Sequence, residues 1–334
     1  MTMKAAVFDR FGEPRDVLQV RDLPEQEPGP GQVRVRILAS PVNPSDLMVV
    51  RGLYGRLPAL PATPGFEGVG IVEQTGPGLL KVLRGLRPGR RVAVLNGKGG
   101  NWQEKVVLPA RQLVPVPPDL PDAQVASFFV NPATALVMTR WVLRVPAGAW
   151  LLQTAAGSAL GRMVIKLGRH FGFRTINVVR RRQQADELSK LGDPVICTAD
   201  EDMEQRVATI TEGTGAAYAI DAVGGKTTLS ALRSLAPGGH MLVYGTLSME
   251  PIPLDPRVLM GGQKRLEGFW LSEWVPRQGI LTMLKLFRTT IRLMRAGILT
   301  TPPGTSYPLD EVRAAVEEAE KPGRPGKVLL RIGS

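Results

Sequence analysis

The chain has 334 residues, of which 43% are hydrophobic and 22% charged, a soluble balance that allows two ordinary domains and a sizeable core. A net charge of +12 attracts nucleic acid, anionic membranes or phosphate-bearing substrates, although a solvated arginine-rich surface is the favoured interpretation. One cysteine, Cys197, excludes an internal disulfide and every multi-cysteine metal site, and two histidines leave little for metal chemistry.

The start of the chain, MTMKAAVFDRFG, enters strand-like alternation directly, without a signal or transit peptide. No apolar run is long enough to cross a bilayer, so we expect a cytoplasmic protein with no membrane partner. The basic residues are scattered and lack interleaved aromatic residues, which argues against a nucleic-acid partner.

The pattern of the N-terminal third predicts short strands separated by Pro/Gly turns. QVRVRILAS (32–40) alternates with period two, and GVGIVEQTG, RRVAVLNG and QEKVVLP continue the pattern. This style predicts a small β-barrel or sandwich.

From about residue 121 the pattern changes to alternating helices and strands. DAQVASFFVNPATALVMTRWVL is helical in period, with Pro132 marking a break or a helix start. Repeated β-α units follow, which indicate an open, doubly wound parallel sheet with helices on both faces. The tail ends in a strand, KVLLRI, that we expect to return to the N-terminal β unit.

The turn LLQTAAGSALG (151–161) connects the first of these strands to a helix. A dinucleotide-binding turn has the form G-x-G-x-x-G, and the three glycine positions are here Ala156, Ser158 and Gly161. The Ser158 hydroxyl and the helix N-terminus are suited to phosphate oxygens. The strand-turn-helix context favours dinucleotide binding over a purely structural tight turn.

The next strand indicates which dinucleotide binds. NAD-binding proteins usually place an acidic residue there for the ribose 2′-hydroxyl, but TINVVRRRQQ ends in Arg180, Arg181 and Arg182. Guanidinium groups pair with a 2′-phosphate. A solvated charge run is the alternative, although cations at a helix start oppose its dipole. We therefore expect NADPH as the cofactor.

The whole chain resembles the medium-chain dehydrogenase/reductase superfamily. The resemblance implies an α/β fold: a GroES-like β-barrel catalytic domain (1–122 plus 299–334) with an inserted Rossmann domain (123–298). The zinc-ligand stretches of the family's alcohol dehydrogenases correspond to SPVNPSD, with Asn43, and PGFEGVG, with Phe66 in the histidine's place. Zinc needs three ligands that are not present, so we expect no metal.

Several motifs narrow the resemblance to trans-2-enoyl thioester reductases: VNPSD…GLYG, VNPATA, RTINVVR, DAVGGKTT, LVYGTLS and GFWLSEW. RGLYG is also typical of quinone oxidoreductases in the superfamily. The resemblance implies NADPH-dependent reduction of the C2=C3 bond of an enoyl-CoA or acyl-carrier-protein thioester by a homodimer. From the order of the predicted strands, we expect a free sheet edge at GGHMLVYG to pair the two subunits. The alternatives are a quinone or enone reductase and, from another class, a nucleotide-sensing or RNA-binding protein.

Residue roles carried over by matched motif make Tyr54 the proton donor and Asn43 an accessory catalytic residue. The implied NADPH-binding residues are Asn131, Gly157, Ser158, Ala159, Leu160, Gly161, Arg180, Arg181, Arg182, Tyr244, Gly245, Thr246, Leu247, Phe269, Trp270, Leu271 and Lys327.

Structural roles remain open for several of these residues. Tyr54 could be a loop aromatic that packs on the barrel, and Asn43 could be only an extended-turn residue before Pro44. Asn131 resembles a helix N-cap as much as a cofactor ligand. Trp270 suits the core and a pocket wall equally.

Overall fold

The computed structural model describes residues 1–78, 85–323 and 326–333. The strands in chain order are β1 (Thr2–Val7), β2 (Gln19–Pro24), β3 (Gln32–Pro41), β4 (Glu67–Thr75), β5 (Arg91–Leu95), β6 (Lys105–Pro109), β7 (Leu113–Pro115), β8 (Trp150–Gln153), β9 (Arg174–Val179), β10 (Val195–Cys197), β11 (Ala216–Asp221), β12 (Leu235–Val243), β13 (Arg265–Gly268), β14 (Pro303–Pro308) and β15 (Lys327–Arg331). The helices in the same ranges are α1 (Pro14–Val17), α2 (Pro44–Val50), α3 (Asp122–Ala126), α4 (Val130–Val137), α5 (Ala159–Phe171), α6 (Arg182–Ser189), α7 (Met203–Ile210), α8 (Gly225–Arg233), α9 (Arg257–Met260), α10 (Leu271–Trp274), α11 (Ile280–Arg295) and α12 (Val312–Glu320).

These elements form two compact units, which we call the barrel unit (Met1–Val130 with Thr300–Ser334) and the nucleotide unit (Asn131–Leu299). The boundary differs from the expected residue 122 because α3 packs against β3, β4 and β5 and so belongs to the barrel unit. Across the described residues, no helix is long and apolar enough to span a membrane.

The barrel unit is GroES-like and is built on β3, as the period-two pattern predicts. Val33, Val35 and Ile37 are fully buried on one face of this strand. β3 pairs antiparallel with β4 and with β6, and within the described residues the strand order of the larger sheet is β14-β15-β3-β4-β5-β7. The predicted return of the final strand is confirmed, since β15 pairs antiparallel with the end of β3.

The nucleotide unit is a Rossmann domain, as expected. Its sheet has the order β10-β9-β8-β11-β12-β13, and every pairing in it is parallel. After β8, the strands β9 and β10 are added on one side of the sheet, and β11, β12 and β13 are then added on the other side. The point between β8 and β11, where the strand order changes sides, is where such folds place their ligands. Leu152, Ile176 and Val178 belong to the core under this sheet.

One expectation for the nucleotide unit needs correction. We expected a free sheet edge at GGHMLVYG, but β12 lies between β11 and β13, so the edge strands of this sheet are β10 and β13 among the described residues. In the helical run 122–143, Pro132 marks a helix start, which was one of its two expected roles: α3 ends at Ala126, and α4 begins at Val130 with Pro132 in its first turn. A proline suits that place because its missing N–H would have no helical partner there.

Candidate active site

The turn after β8 has the conformation of a tight strand-to-helix turn despite its missing glycines. Ala155 adopts a left-handed φ of 49°, and Ser158 is the N-cap of α5, its Oγ accepting a hydrogen bond of 3.0 Å from the Gly161 N–H. This bond leaves the hydroxyl proton of the exposed Ser158 free to be donated. Ser158 thus caps the helix without losing its capacity to bind an anion.

Gly161 is required by close packing. A Cβ at this position would lie 2.5 Å from the Ala156 carbonyl oxygen and 2.6 Å from the Ala156 Cα. Gly157 is less constrained, since its Cβ would meet only the flexible Gln184 side chain. The turn therefore retains the third glycine of the motif, which is the one that allows close helix–strand packing.

A buried hydrogen-bond network supports this turn from below. The Gln153 amide nitrogen donates to the Gly161 carbonyl at 3.0 Å and to Asn177 Oδ1 at 2.7 Å. On the other side, Asp221 accepts from the hydroxyls of Thr154 (2.5 Å) and Thr228 (2.6 Å). These bonds connect β8 to both of its neighbours at the carboxyl end of the sheet.

The predicted cofactor residues of the nucleotide unit lie at this same end. Because the strands are parallel, the turn 154–161 after β8, Arg180 after β9, Tyr244 after β12 and Phe269 after β13 all follow carboxyl ends. The exposure of the side chains varies widely: Leu247 and Trp270 are 60% and 45% exposed, whereas Leu160 and Phe269 are buried. Burial beside Asp221 raises the pKa of the Tyr244 phenol, so it stays protonated.

The three arginines do not have equal surroundings. Arg182 forms an ion pair of 2.8 Å with Asp200. Arg180 is exposed, Arg181 is half-buried, and within the described ranges neither forms a salt bridge. Two of the three guanidinium groups are therefore available for an anion.

Tyr54 lies in the barrel unit, in the loop after α2. It is half-buried, and its ring packs against Phe66 with 5.3 Å between centroids. Both rings contact a core cluster that includes Leu47 and Trp102. The aromatic packing that we considered for Tyr54 is thus present, and it fixes the direction of the ring.

Asn43 and Lys327 meet in a buried polar network beneath this loop. Asn43 is 1% exposed; its amide nitrogen donates to Glu67 Oε1 at 3.1 Å, and its oxygen accepts from the Lys327 ammonium. Glu67 Oε2 accepts from the backbone N–H groups of Phe129 (2.8 Å) and Val130 (2.9 Å). The structure therefore gives Asn43 and Lys327 partners within the protein, whereas their predicted catalytic and cofactor-binding roles remain predictions.

Asp46 completes this network. Its carboxylate accepts from the Asn43 N–H at 2.8 Å and from the Phe66 N–H at 3.0 Å. Burial raises the pKa of Asp46 to about 7, against the opposing effects of these hydrogen bonds and of Lys327. Burial also raises the pKa of Glu67, again opposed by Lys327 and the hydrogen bonds to it.

Asn131 occupies the second residue of α4 and is half-buried. It is therefore not the N-cap of that helix, which was the alternative to cofactor binding. It directly follows the backbone that Glu67 binds.

Sequence reasoning missed the residues that support the site. Glu67, Asp46, Gln153 and Asp221 were not assigned a role, although each is buried and hydrogen-bonded. Glu67 carried a usable signal: it stands in PGFEGVG among apolar residues at the start of a strand, where a carboxylate must find partners.

The residues at the former zinc-ligand positions do not fit a zinc ion. Phe66 has no ligand atom, and the amide of Asn43 and both oxygens of Glu67 are directed to protein partners. Over residues 1–78, 85–323 and 326–333, no three His, Cys, Asp or Glu side chains are grouped to hold a metal ion.

Comparison with known proteins places the chain in a family. Residues 29–118 match the alcohol dehydrogenase GroES-like domain, and residues 159–289 match the zinc-binding dehydrogenase domain. The chain belongs to the medium-chain dehydrogenase/reductase superfamily and is an oxidoreductase of that class.

Its relatives include the mitochondrial enoyl-[acyl-carrier-protein] reductases. The human protein is 34% identical over 99% of this chain and 89% of its own length, and the rat protein is 34% identical over 96% and 86%. Among solved structures, a candidate NADPH:quinone reductase from Bacillus thuringiensis is 34% identical with a TM-score of 0.93, covering 99% of both chains. A mycobacterial protein complexed with NADPH is 28% identical with a TM-score of 0.87, covering 98% of this chain and 99% of its own.

Proposed function

We propose that this protein is an NADPH-dependent reductase of 2-enoyl thioesters carried on coenzyme A or on an acyl carrier protein. The near-full-length similarity to enoyl-[acyl-carrier-protein] reductases supports the substrate class. The observation that carries the proposal is Tyr54, a phenol fixed against Phe66 at the position that the resemblance gives to the proton donor.

In this reaction NADPH, when bound, supplies the hydride that adds to the β-carbon of the thioester. The Tyr54 phenol donates a proton to the α-carbon, which completes the saturation of the double bond. Packing against Phe66 restricts the rotation of the ring, so the donor is oriented before substrate arrives.

The residues of the nucleotide unit fit the proposed cofactor. Ser158 and the N-terminus of α5 would hold the pyrophosphate, because the helix start offers free N–H groups and a partial positive charge. Arg180 and Arg181 would hold the 2′-phosphate, because their charges have no salt-bridge partner among the described residues.

A quinone reductase is the second candidate. It is favoured by the similarity to the Bacillus thuringiensis protein and to a Pseudomonas syringae quinone oxidoreductase of 26% identity and TM-score 0.90. A quinone takes up its proton on oxygen and does not need a donor aimed at carbon. The two candidates therefore differ in their dependence on Tyr54.

The test compares crotonyl-CoA with 1,4-benzoquinone by following NADPH absorbance. Tyr54→Phe keeps the ring that packs on Phe66 and should lower kcat for crotonyl-CoA by about 10² to 10⁴. Tyr307→Phe is the matched control, because Tyr307 packs against the same core cluster. Turnover of benzoquinone alone, equal in both variants, would replace the proposal with the second candidate.

We also propose a homodimer in the cytoplasm. β13 is one of the two edge strands of the sheet in the nucleotide unit, and its residues are mostly exposed, so we take it as the strand that pairs across a two-fold axis. Light scattering should give twice the chain mass. A monomer at all concentrations would contradict this part of the proposal.

A further inference from the structure

Glu67 is a buried carboxylate that the proposed reaction does not use directly. It is 1% exposed, and its two oxygens accept three hydrogen bonds: one from the Asn43 side chain and two from the backbone N–H groups of Phe129 and Val130. Lys327 supplies the nearby positive charge. A buried charge with this many partners fixes the groups that it binds.

The two backbone groups are those at the start of α4. The first N–H groups of a helix have no partner within the helix and carry its partial positive charge. Glu67 satisfies both from a strand more than sixty residues earlier in the chain. It therefore acts as a cap supplied by another element and sets where α4 begins and how it is directed.

Asn131, a predicted cofactor residue, directly follows Val130 at this fixed start of α4. Val130 ends the barrel unit, and Asn131 opens the nucleotide unit, so a single peptide bond separates the capped N–H from Asn131. Displacing the Val130 backbone would displace the Asn131 side chain with it.

We propose that Glu67 is a positioning residue that places Asn131 for NADPH. The inference rests on the proposed function for its cofactor. Glu67 acts through the Phe129–Val130 backbone, and its effect on cofactor binding passes through Asn131.

The experiment is a double-mutant cycle with Glu67→Gln and Asn131→Ala, read by fluorescence titration of NADPH. Glutamine keeps the shape of Glu67 but removes its charge, and its single oxygen cannot accept from both the Asn43 side chain and the Phe129–Val130 backbone. Each single variant should therefore raise the NADPH Kd about tenfold, as for one mispositioned hydrogen bond. Because both changes remove the same contact, the double variant should also show about tenfold rather than about a hundredfold.

Gln124→Met is the matched control for a loss of stability alone. The Gln124 side chain binds the Thr301 backbone twice, donating at 2.7 Å and accepting at 3.1 Å, in the same unit as Glu67. This variant should lower the melting temperature and leave the NADPH Kd within about twofold of the original. Hydrogen exchange at the Phe129 and Val130 amides should accelerate in Glu67→Gln and not in the control.

The outcomes separate the two proposals. A wild-type chain that binds no NADPH overturns the proposed function. NADPH binding that is unchanged in Glu67→Gln, or additive losses in the cycle, overturns the role of Glu67 alone. Should Glu67→Gln not fold, Glu67→Asp keeps the charge but withdraws the carboxylate by one methylene, and the same cycle applies.

Discussion

We expect Arg180 and Arg181 to give the protein a preference for a phosphorylated cofactor. Both follow the carboxyl end of β9, and within the described chain neither has a salt-bridge partner, whereas Arg182 is paired with Asp200. An unpaired guanidinium group gains most from a phosphate, because it gives up no existing ion pair.

Replacing Arg180 and Arg181 together with alanine should therefore weaken NADPH binding far more than NADH binding. Arg182→Ala serves as the control and should change the ratio of the two dissociation constants little, since its charge is already used by Asp200. Fluorescence titration with each nucleotide measures the ratio. Equal losses for NADPH and NADH would remove the 2′-phosphate assignment.

Asp46 is a buried carboxyl group whose pKa of about 7 lies well above its ordinary value of 3.8. The folded protein thus holds a proton that the unfolded chain has already released between pH 4 and 7. Through that interval the free energy of unfolding should fall as the pH rises, by up to about 1.4 kcal/mol per pH unit from this group.

Asp46→Asn should remove this contribution. Asparagine has one acceptor for the two backbone N–H groups that Asp46 binds, so the variant starts less stable at pH 4.5. Its stability should then decline less steeply than that of the original protein up to pH 7.5, because the contribution of Asp46 to the slope is absent while the raised pKa of Glu67 is present in both proteins. Urea unfolding at four pH values measures the slopes. Parallel curves would show that Asp46 does not titrate in this range.

The turn between β8 and α5 shows how one element can replace the residues of a motif and keep its geometry. Ala155 takes the left-handed conformation, and Ser158 caps the helix. Only Gly161 stands where a side chain would collide with backbone, at Ala156. The motif thus tolerates a buried methyl group at Ala156 and an exposed hydroxyl at Ser158, whereas Gly161 is required where the helix meets the strand.

Gly161→Ala should destabilise the protein by about 1 to 3 kcal/mol, because the new methyl group forces the start of α5 away from Ala156. Gly268→Ala is the control: it ends β13 in the same unit, and nothing lies within 4 Å of its added Cβ. Denaturant unfolding of both variants makes the comparison. Equal, small effects would mean that the turn relaxes without cost.

The two-unit architecture could be predicted from the sequence, because the patterns that indicate it are local and periodic. The alternation in β3 and the repeated β-α units correctly predicted a β-rich N-terminal unit and a parallel sheet, whereas the GroES-like fold of the first unit was implied by the family resemblance. The network of Asn43, Glu67 and Lys327 could not be predicted in the same way. Its members lie far apart in the chain and are brought together by the pairing of β3 with β4 and with β15. For the same reason the edge position was wrongly given to β12, since strand order is set by long-range pairing.

The nucleotide unit, residues 131–299, is one uninterrupted stretch with its own six-stranded sheet and core, whereas the barrel unit is assembled from two segments. Expressed alone, residues 131–299 should fold and unfold cooperatively in urea. This piece should bind NADPH in preference to NADH, because Arg180 and Arg181 lie within it. The same piece carrying alanine at both arginines should lose the preference. A cooperative fold that binds neither nucleotide would contradict the assignment of the cofactor to residues 131–299.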